Sequence, residues 1–345
     1  MKDLFEAIQP RNGSCLVIAE AGVNHNGSLE RALELVRVAA GAGADVVKFQ
    51  TFKAKNLASA GAKRAEYQAA NIGGPDETQL QMLSRLELPL DWHKTLQDEA
   101  HRHGIAFLST PFDDESLDFL VGLGVPALKV SSGDLTNTPF LRRMAETGLP
   151  VVLSTGMGTW QDVDLAMDAL LPTKPILLQC VSQYPAPAES ANLLAMVAMR
   201  DRYGVMTGYS DHCLGNTVSL SAVALGASVI EKHFTLDRAL PGPDHSASST
   251  PDELASLVEE INTVLKALGS GNKIPDDCEL STLAVAQKSL VAAHPLTSGT
   301  RLSLTDIAVK RPGTGIRPSC LESLVGKTLL RDVDEDHLFT WEDVQ

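Results

Sequence analysis

Thr207-Gly208-Tyr209-Ser210-Asp211-His212-Cys213 and, a little further on, Glu231-Lys232-His233-Phe234-Thr235-Leu236-Asp237 belong to one stretch, residues 207–245, which ends in Pro241-Gly242-Pro243-Asp244-His245. Two short apolar runs, Gly204-Val205-Met206 and Ser228-Val229-Ile230, each break into polar residues: Ser210, Asp211 and His212 after one, Glu231, Lys232 and His233 after the other. Between them Thr217 to Gly226 is an Ala/Leu/Val run of helical length. The unit reads as strand, helix and parallel strand, with both polar clusters at one edge and two histidines side by side. A single strand-end histidine is usually a hydrogen-bonded structural residue. Two neutral imidazoles on neighbouring strand ends, with a carboxylate, form an open, water-accessible site for a divalent metal.

Outward from this stretch the same pattern recurs: 15–20, 44–50, 105–110, 127–132, 150–155 and 175–180 are apolar runs that end in a polar residue. With the two opening strands they predict eight, separated by amphipathic stretches such as the one that follows Ser28, a candidate N-cap, or Asp91 before Trp92. Eight buried strands alternating with helices predict an α/β fold, a parallel (β/α)8 TIM barrel. A doubly wound open sheet would carry a Gly-rich phosphate loop after its first strand, and Glu20-Ala21-Gly22-Val23-Asn24-His25-Asn26-Gly27 does not fit one. The interval Thr51 to Leu90, with Tyr67-Gln68 and a turn at Gly73-Gly74-Pro75-Asp76, is too long for a simple connection and predicts a lid or substrate loop.

The chain has 345 residues, 44% hydrophobic and 21% charged, enough for one barrel and a small module. Its net charge is -14 without a basic run, which excludes the electrostatic footing of nucleic-acid binding. No apolar run is long enough to cross a bilayer, so no membrane partner and a cytoplasmic location are expected. The five cysteines lack Cys-x-x-Cys spacing, and neither disulfides nor structural zinc are expected. Residues 1–268 are the expected barrel domain, with a last helix from Pro251 to Leu268, and 269–286 the linker. Residues 287–345 form a small third segment whose Lys310-Arg311-Pro312-Gly313-Thr314-Gly315 loop carries charge without an obvious local partner.

The C-terminal strand ends of a parallel barrel face one pocket. Here they bring together Glu20, Lys48, Gln50, Thr110, Lys129, Ser132, Asp134, Ser154, Tyr184, Ser210, His212, Glu231 and His233. Two lysines among hydroxyls suit a phosphate or carboxylate anion. The bland alternatives are lysines that snorkel to solvent, serines that cap strand ends, and Asp211 or Glu231 acting only to orient the histidines.

Ile18-Ala19-Glu20-Ala21-Gly22-Val23-Asn24-His25-Asn26-Gly27, Val47-Lys48-Phe49-Gln50-Thr51, Leu108-Ser109-Thr110-Pro111-Phe112, Leu153-Ser154-Thr155-Gly156-Met157, Gly208-Tyr209-Ser210-Asp211-His212 and Glu231-Lys232-His233-Phe234-Thr235 resemble the sialic acid synthase family. The resemblance spans nearly the whole chain, and Lys310-Arg311-Pro312-Gly313 resembles that family's C-terminal antifreeze-like (SAF, β-clip) domain. It implies a transferase that condenses phosphoenolpyruvate with N-acetylmannosamine and water to N-acetylneuraminate and phosphate. The alternative acceptor is 2,4-diacetamido-2,4,6-trideoxymannose, leading to N,N'-diacetyllegionaminate. By the same likeness Lys48, Thr110, Lys129, Ser132, Ser154 and Ser210 would hold phosphoenolpyruvate, and His212 and His233 would bind Mn2+, or Mg2+ or Co2+ in its place. Glu20, Gln50, Asp134, Tyr184, Glu231 and Asp244 would line the sugar side, with Glu20, Lys48, Lys129 and Glu231 catalytic. Arg311 would reach the sugar's N-acyl group from the tail of the other subunit in a domain-swapped homodimer.

The chain departs from the family pattern at Gln179-Cys180-Val181-Ser182-Gln183-Tyr184-Pro185, at Asp134 where several relatives carry Glu, and at Gln287-Lys288-Ser289 at the entry to the tail. These changes leave the residues for metal and phosphoenolpyruvate intact and bear on the sugar pocket. Two other classes remain as competing readings: a Schiff-base aldolase or lyase working through Lys48 or Lys129, and a non-catalytic carbohydrate-binding or coat protein.

Overall fold

The structure is a computed structural model that describes residues 14–65, 68, 71 and 77–345. The chain divides into two compact units, Met1–Gly269 and Ser270–Gln345. In the first, eight parallel strands run β1 Leu16–Gly22, β2 Val46–Thr51, β3 Ala106–Pro111, β4 Leu128–Val130, β5 Val151–Ser154, β6 Ile176–Cys180, β7 Thr207–Asp211 and β8 Val229–His233. They pair in the order β3-β2-β1-β8-β7-β6-β5-β4, with β3 and β4 side by side at the remaining seam. This is the expected (β/α)8 barrel in near-closed form.

Side chains alternate across a strand, and that alternation gives the barrel its two cores. Val17, Ala19, Val47, Phe49, Phe107, Leu128, Val130, Leu153 and Ile230 pack outward under the helices. Leu16, Ile18, Val46, Leu108, Val152, Ile176, Leu178 and Val229 fill the interior. Continued toward the C-terminal mouth, the same inward columns reach Glu20, Lys48 and Gln50, Thr110, Lys129, Ser154, Cys180, Ser210, and Glu231 and His233. The site is thus the top of the barrel's own packing pattern.

Ser28 caps the helix Leu29–Gly41 as expected, its hydroxyl accepting from Arg31 N. The helix Leu90–Arg102 instead takes Pro89 as its N-cap, with Asp91 in the first turn. The seventh strand lies later than the apolar run suggested: Gly204 ends the preceding helix in a left-handed conformation, and the ladder begins at Thr207. A Cβ on Gly208 would stand 2.2 Å from Val229 O, so this strand needs a glycine to approach β8. In the long interval after β2 the helix Gln79–Leu86, capped by Thr78, packs Met82 and Leu86 on Val23 and Phe52. Tyr67 and the turn 73–76 of the expected lid lie outside the described residues.

The helix Pro251–Leu268 closes the barrel unit. The expected linker 269–286 is not uniformly extended: Leu280–Ala286 is a helix, and Ala284 O accepts from Gly313 N within the second unit. That unit pairs β9 Ser289–Ala292 antiparallel to β10 Ile307–Lys310 over a core of Leu290, Ala292, Leu296, Ile316, Leu324, Leu329 and Phe339. Lys310, expected without a local partner, is paired with Asp336 and lies 3.9 Å from Glu335. All five cysteines are free, and among the described residues no helix is long and apolar enough to cross a membrane.

Candidate active site

Four buried charges form the centre of the mouth. Lys48 Nζ lies 2.7 Å from Glu20 Oε2 and 3.6 Å from Glu231 Oε2, and donates to Thr110 Oγ1 at 3.0 Å. Lys129 Nζ lies 3.7 Å from Glu231 Oε1 and donates to Ser154 Oγ (2.7 Å) and Val130 O (2.8 Å). Ser210 Oγ donates to Glu231 Oε1 at 2.9 Å, and Gln50 Nε2 to Glu20 Oε1 at 3.3 Å. Neither lysine snorkels to solvent; Lys48 is 3% and Lys129 2% exposed.

Burial and pairing pull these groups apart. Burial raises the Glu20 carboxyl more than Lys48 lowers it. For Glu231 burial also works upward, but Lys129 and Lys48 outweigh it and hold the carboxylate ionised. Burial works to lower the Lys48 ammonium, yet Glu20 and Glu231 carry it above its usual value. Lys129, with one carboxylate to offset its burial, is lowered.

The histidine rings stand with centroids 5.5 Å apart, and the Tyr184 ring lies 4.0 Å from His212 and edge-on, 5.5 Å, to His233. His212 Nδ1 is 2.6 Å from the Val181 carbonyl, which can only accept, so Nδ1 carries a hydrogen and, in the neutral ring, Nε2 holds the lone pair. Burial works to lower this ring's pKa, but Cys180 and the Val181 carbonyl carry it above normal. Burial, with His212 and Lys48 nearby, holds the His233 pKa well below normal, the neutral state a metal requires. His233 Nδ1 is buried without a hydrogen bond, whereas Glu20 Oε2 and Glu231 Oε2 both face Lys48 Nζ. Such an orphaned atom is rare, and beside His212 it marks a place for a ligand. The carboxylate expected as a third metal ligand does not join the histidines: Glu231 turns to the lysines and Ser210. Among the described residues no group of three or more His, Cys, Asp or Glu side chains is set to hold a metal ion. The pair therefore fits an ion whose remaining positions are filled by substrate or water oxygens.

The other expected residues fall around this centre. Ser132 Oγ accepts from Gly156 N at 3.0 Å, joining the ends of β4 and β5. Asp134 accepts from Ser131 and Asn137, so its hydrogen bonds go to its own turn rather than to the lysines. Asp244 is buried, and burial pushes its carboxyl up to about 6 against the influence of His212. Arg311 belongs to the second unit, where it is exposed. Asp211 does not orient His212 by touching its ring; it pairs with Lys232 on the outside of the barrel.

Two features were not legible as site residues. Cys180 Sγ is 3.8 Å from His212 Nδ1; the inward column Ile176, Leu178, Cys180 was the available signal. Asn24 donates to Phe234 O and Ser248 Oγ, and Asn26 to Pro241 O, which fastens the first strand's loop to the one that carries Asp244.

A parallel barrel whose mouth buries paired lysines and glutamates beside two imidazoles defines a barrel enzyme for an anionic substrate. Residues 35–273 match the model of the NeuB family and residues 287–345 that of the SAF domain, and the chain belongs to the NeuB family. It is 45% identical to the N,N'-diacetyllegionaminic acid synthase of Legionella pneumophila, over 99% of this chain and 98% of that protein. The same identity, 45%, holds with the N,N'-diacetyllegionaminic acid synthase of Campylobacter jejuni over 94% of this chain and 98% of that one. Among solved structures, the N-acetylneuraminic acid synthetase of Leptospira borgpetersenii, in complex with citrate, matches with a TM-score of 0.69 and 35% identity, covering 78% of this chain and 90% of that one. The chain is thus an enzyme, a transferase of the phosphoenolpyruvate-condensing kind.

Proposed function

We propose that this enzyme condenses phosphoenolpyruvate with an N-acylated mannosamine-type sugar and water, giving a nonulosonic acid and phosphate. The observation that carries the reading is the mouth's pairing of an anion cradle, Lys48 and Lys129 with Thr110 and Ser154, with two adjacent imidazoles, one of which, His233, keeps an unpartnered buried nitrogen. Lys48, Lys129, Thr110, Ser132, Ser154 and Ser210 hold phosphoenolpyruvate; Gln50, Tyr184, Asp134 and Asp244 lie to the sugar side. Bound at His212 and His233, a divalent ion, Mn2+ by preference, would supply Lewis acidity toward the open-chain aldehyde of the sugar.

C3 of the enol phosphate bonds to the aldehyde carbon as the C=O π pair moves to oxygen, which takes up a proton to become a hydroxyl, and positive charge develops at C2. Glu231, kept ionised by both lysines, is the fixed anion that stabilises this charge. Water adds at C2, and Glu20, whose burial favours its protonated form, takes the proton. The tetrahedral intermediate then breaks its C2–O bond to phosphate as its hydroxyl becomes the C2 ketone and gives up its proton to the departing phosphate, which leaves against Lys48 and Lys129, whose charge offsets that on the departing oxygen.

Identity to two legionaminic acid synthases favours the 6-deoxy diacetamido sugar, and the likeness to the N-acetylneuraminic acid synthetase favours N-acetylmannosamine. We place Arg311 over the acceptor's N-acyl group in a domain-swapped homodimer in the cytoplasm, following the family likeness of its Lys310-Arg311-Pro312-Gly313 loop. Phosphate release with each sugar, under Mn2+ or EDTA, tests the reading: the acceptor with the higher kcat/KM names the product. Equal release without any sugar, or turnover unaffected by EDTA, refutes it.

A further inference from the structure

The outer face of β7 and β8 carries a group that the reaction does not use. Asp211 and Lys232 are partners in the ladder, so they project together to the helix side, while Ser210, Glu231 and His233 project into the mouth. Their neighbours there, such as Tyr209, Ala222, Val223 and Ile230, are apolar. Lys232 Nζ donates to Asp211 Oδ2 at 2.8 Å and to Cys213 O at 2.8 Å. Asp211 Oδ1 accepts from Cys213 N at 2.8 Å, and Ser219 Oγ donates to Asp211 Oδ2 at 2.5 Å. Both residues are buried, Asp211 to 1% and Lys232 to 3% exposure.

A buried ion pair is a poor source of stability, since apolar side chains of similar volume do as well or better. Its placement shows what else it does. His212 is the residue between Asp211 and Cys213, and the pair fixes the backbone on both sides of it: the carboxylate holds the Cys213 amide, and the ammonium, rooted one residue before His233, holds the Cys213 carbonyl. On the inner side the His212 carbonyl accepts from Ala186 N and its Nδ1 donates to Val181 O. The two imidazoles are thereby tied to one another through Lys232 as well as through the ladder.

We infer that Asp211 and Lys232 are positioning residues that fix the spacing of the His212–His233 pair and the direction in which His212 Nε2 points. This rests on the reading of these histidines as the metal pair. Ser219, from the helix Thr217–Ala224, completes the clamp.

The test uses the full chain with three changes: Ser219→Ala as the mildest, Asp211→Asn, and Asp211→Asn with Lys232→Met, which leaves no uncompensated charge. Two quantities are read on each: the dissociation constant of Mn2+ alone, from the paramagnetic resonance of free Mn2+, and the 15N shifts of the His212 ring in metal-free protein. The clamp predicts a Mn2+ constant raised about tenfold or more in the double variant, phosphoenolpyruvate binding to metal-free protein changed less than about threefold, and averaged ring-nitrogen shifts where the native protein shows a fixed Nδ1–H tautomer. Mn2+ affinity and ring shifts that match the native protein in folded variants overturn the inference. So does a parallel loss of Mn2+ and phosphoenolpyruvate binding, which marks general collapse of the mouth. If the native protein itself does not bind Mn2+, the metal reading fails, and the ring shifts alone then decide the clamp. Should the double variant not fold, Ser219→Ala decides by the same two readouts.

Discussion

Replacing Glu231 by Gln isolates the charge balance on which the mouth depends. The amide keeps an oxygen for Ser210 and nearly the same volume, so what is lost is the negative charge 3.6 Å from Lys48 and 3.7 Å from Lys129. Lys48 retains Glu20 at 2.7 Å, but Lys129 is left with Ser154 and the Val130 carbonyl. An uncompensated buried charge costs about 3 to 5 kcal/mol, and the retained neutral hydrogen bonds put the expected loss at the lower end, about 3 kcal/mol at pH 7. The sign of its pH dependence follows from Lys129. Its ammonium is already lowered by burial and loses the carboxylate that opposed the shift. A base with a depressed folded pKa adds stability above its unfolded value, 10.5, and loses it as pH falls. The variant's deficit therefore narrows as pH rises toward 10.5, and inorganic phosphate, by pairing with Lys129, narrows it at pH 7. Urea unfolding followed by circular dichroism, with and without phosphate, measures both. A deficit below about 0.5 kcal/mol, the range of an ordinary surface change, and flat with pH, refutes the assignment of Lys129's charge to Glu231.

Gly208→Ala would bring a Cβ to 2.2 Å from Val229 O and 2.8 Å from Leu178 Cδ2; a loss of about 3 kcal/mol or more is expected by urea unfolding, and an unchanged midpoint would remove the close approach of β7 to β8. His93 is buried with its ring nitrogens on Thr51 and Pro89 O, and burial lowers its pKa from 6.5 to about 4. A depressed histidine contributes stability above 6.5 that is lost as pH falls toward 4, here about 3 kcal/mol; His93→Gln should flatten that part of the stability profile, and an identical slope would show that His93 charges freely. Arg311→Ala should raise KM for the sugar about tenfold and leave that for phosphoenolpyruvate nearly unchanged; the reverse pattern would separate Arg311 from the acceptor.

The barrel was legible because polar residues terminate eight apolar runs, and the period of two that buries Ile18 and Val46 also aims Glu20 and Lys48 into the mouth. The charged centre followed from those strand ends, since Lys48, Lys129, Glu20 and Glu231 all lie on inward columns. Less was legible where position depends on loops. Asp134 was expected with the others, but its turn satisfies it through Ser131 and Asn137. Lys310 finds Asp336 across a bend that the chain order does not show. Composition also misplaced β7: Gly204-Val205-Met206 is the more apolar run, whereas close packing of Gly208 on β8 sets where the ladder lies. Outward polar residues such as Asp211 and Lys232 read as part of the same cluster as their neighbours until alternation separates the two faces.

Phosphoenolpyruvate labelled with 18O in the C2–O–P bridge tests the proposed condensation most directly, with the acceptor sugar and Mn2+ present and the products weighed by mass spectrometry. The account predicts sugar-dependent turnover with the label leaving in inorganic phosphate, as C2–O cleavage against Lys48 and Lys129 requires. Label retained in the sugar acid, or pyruvate formed in its place, would contradict it.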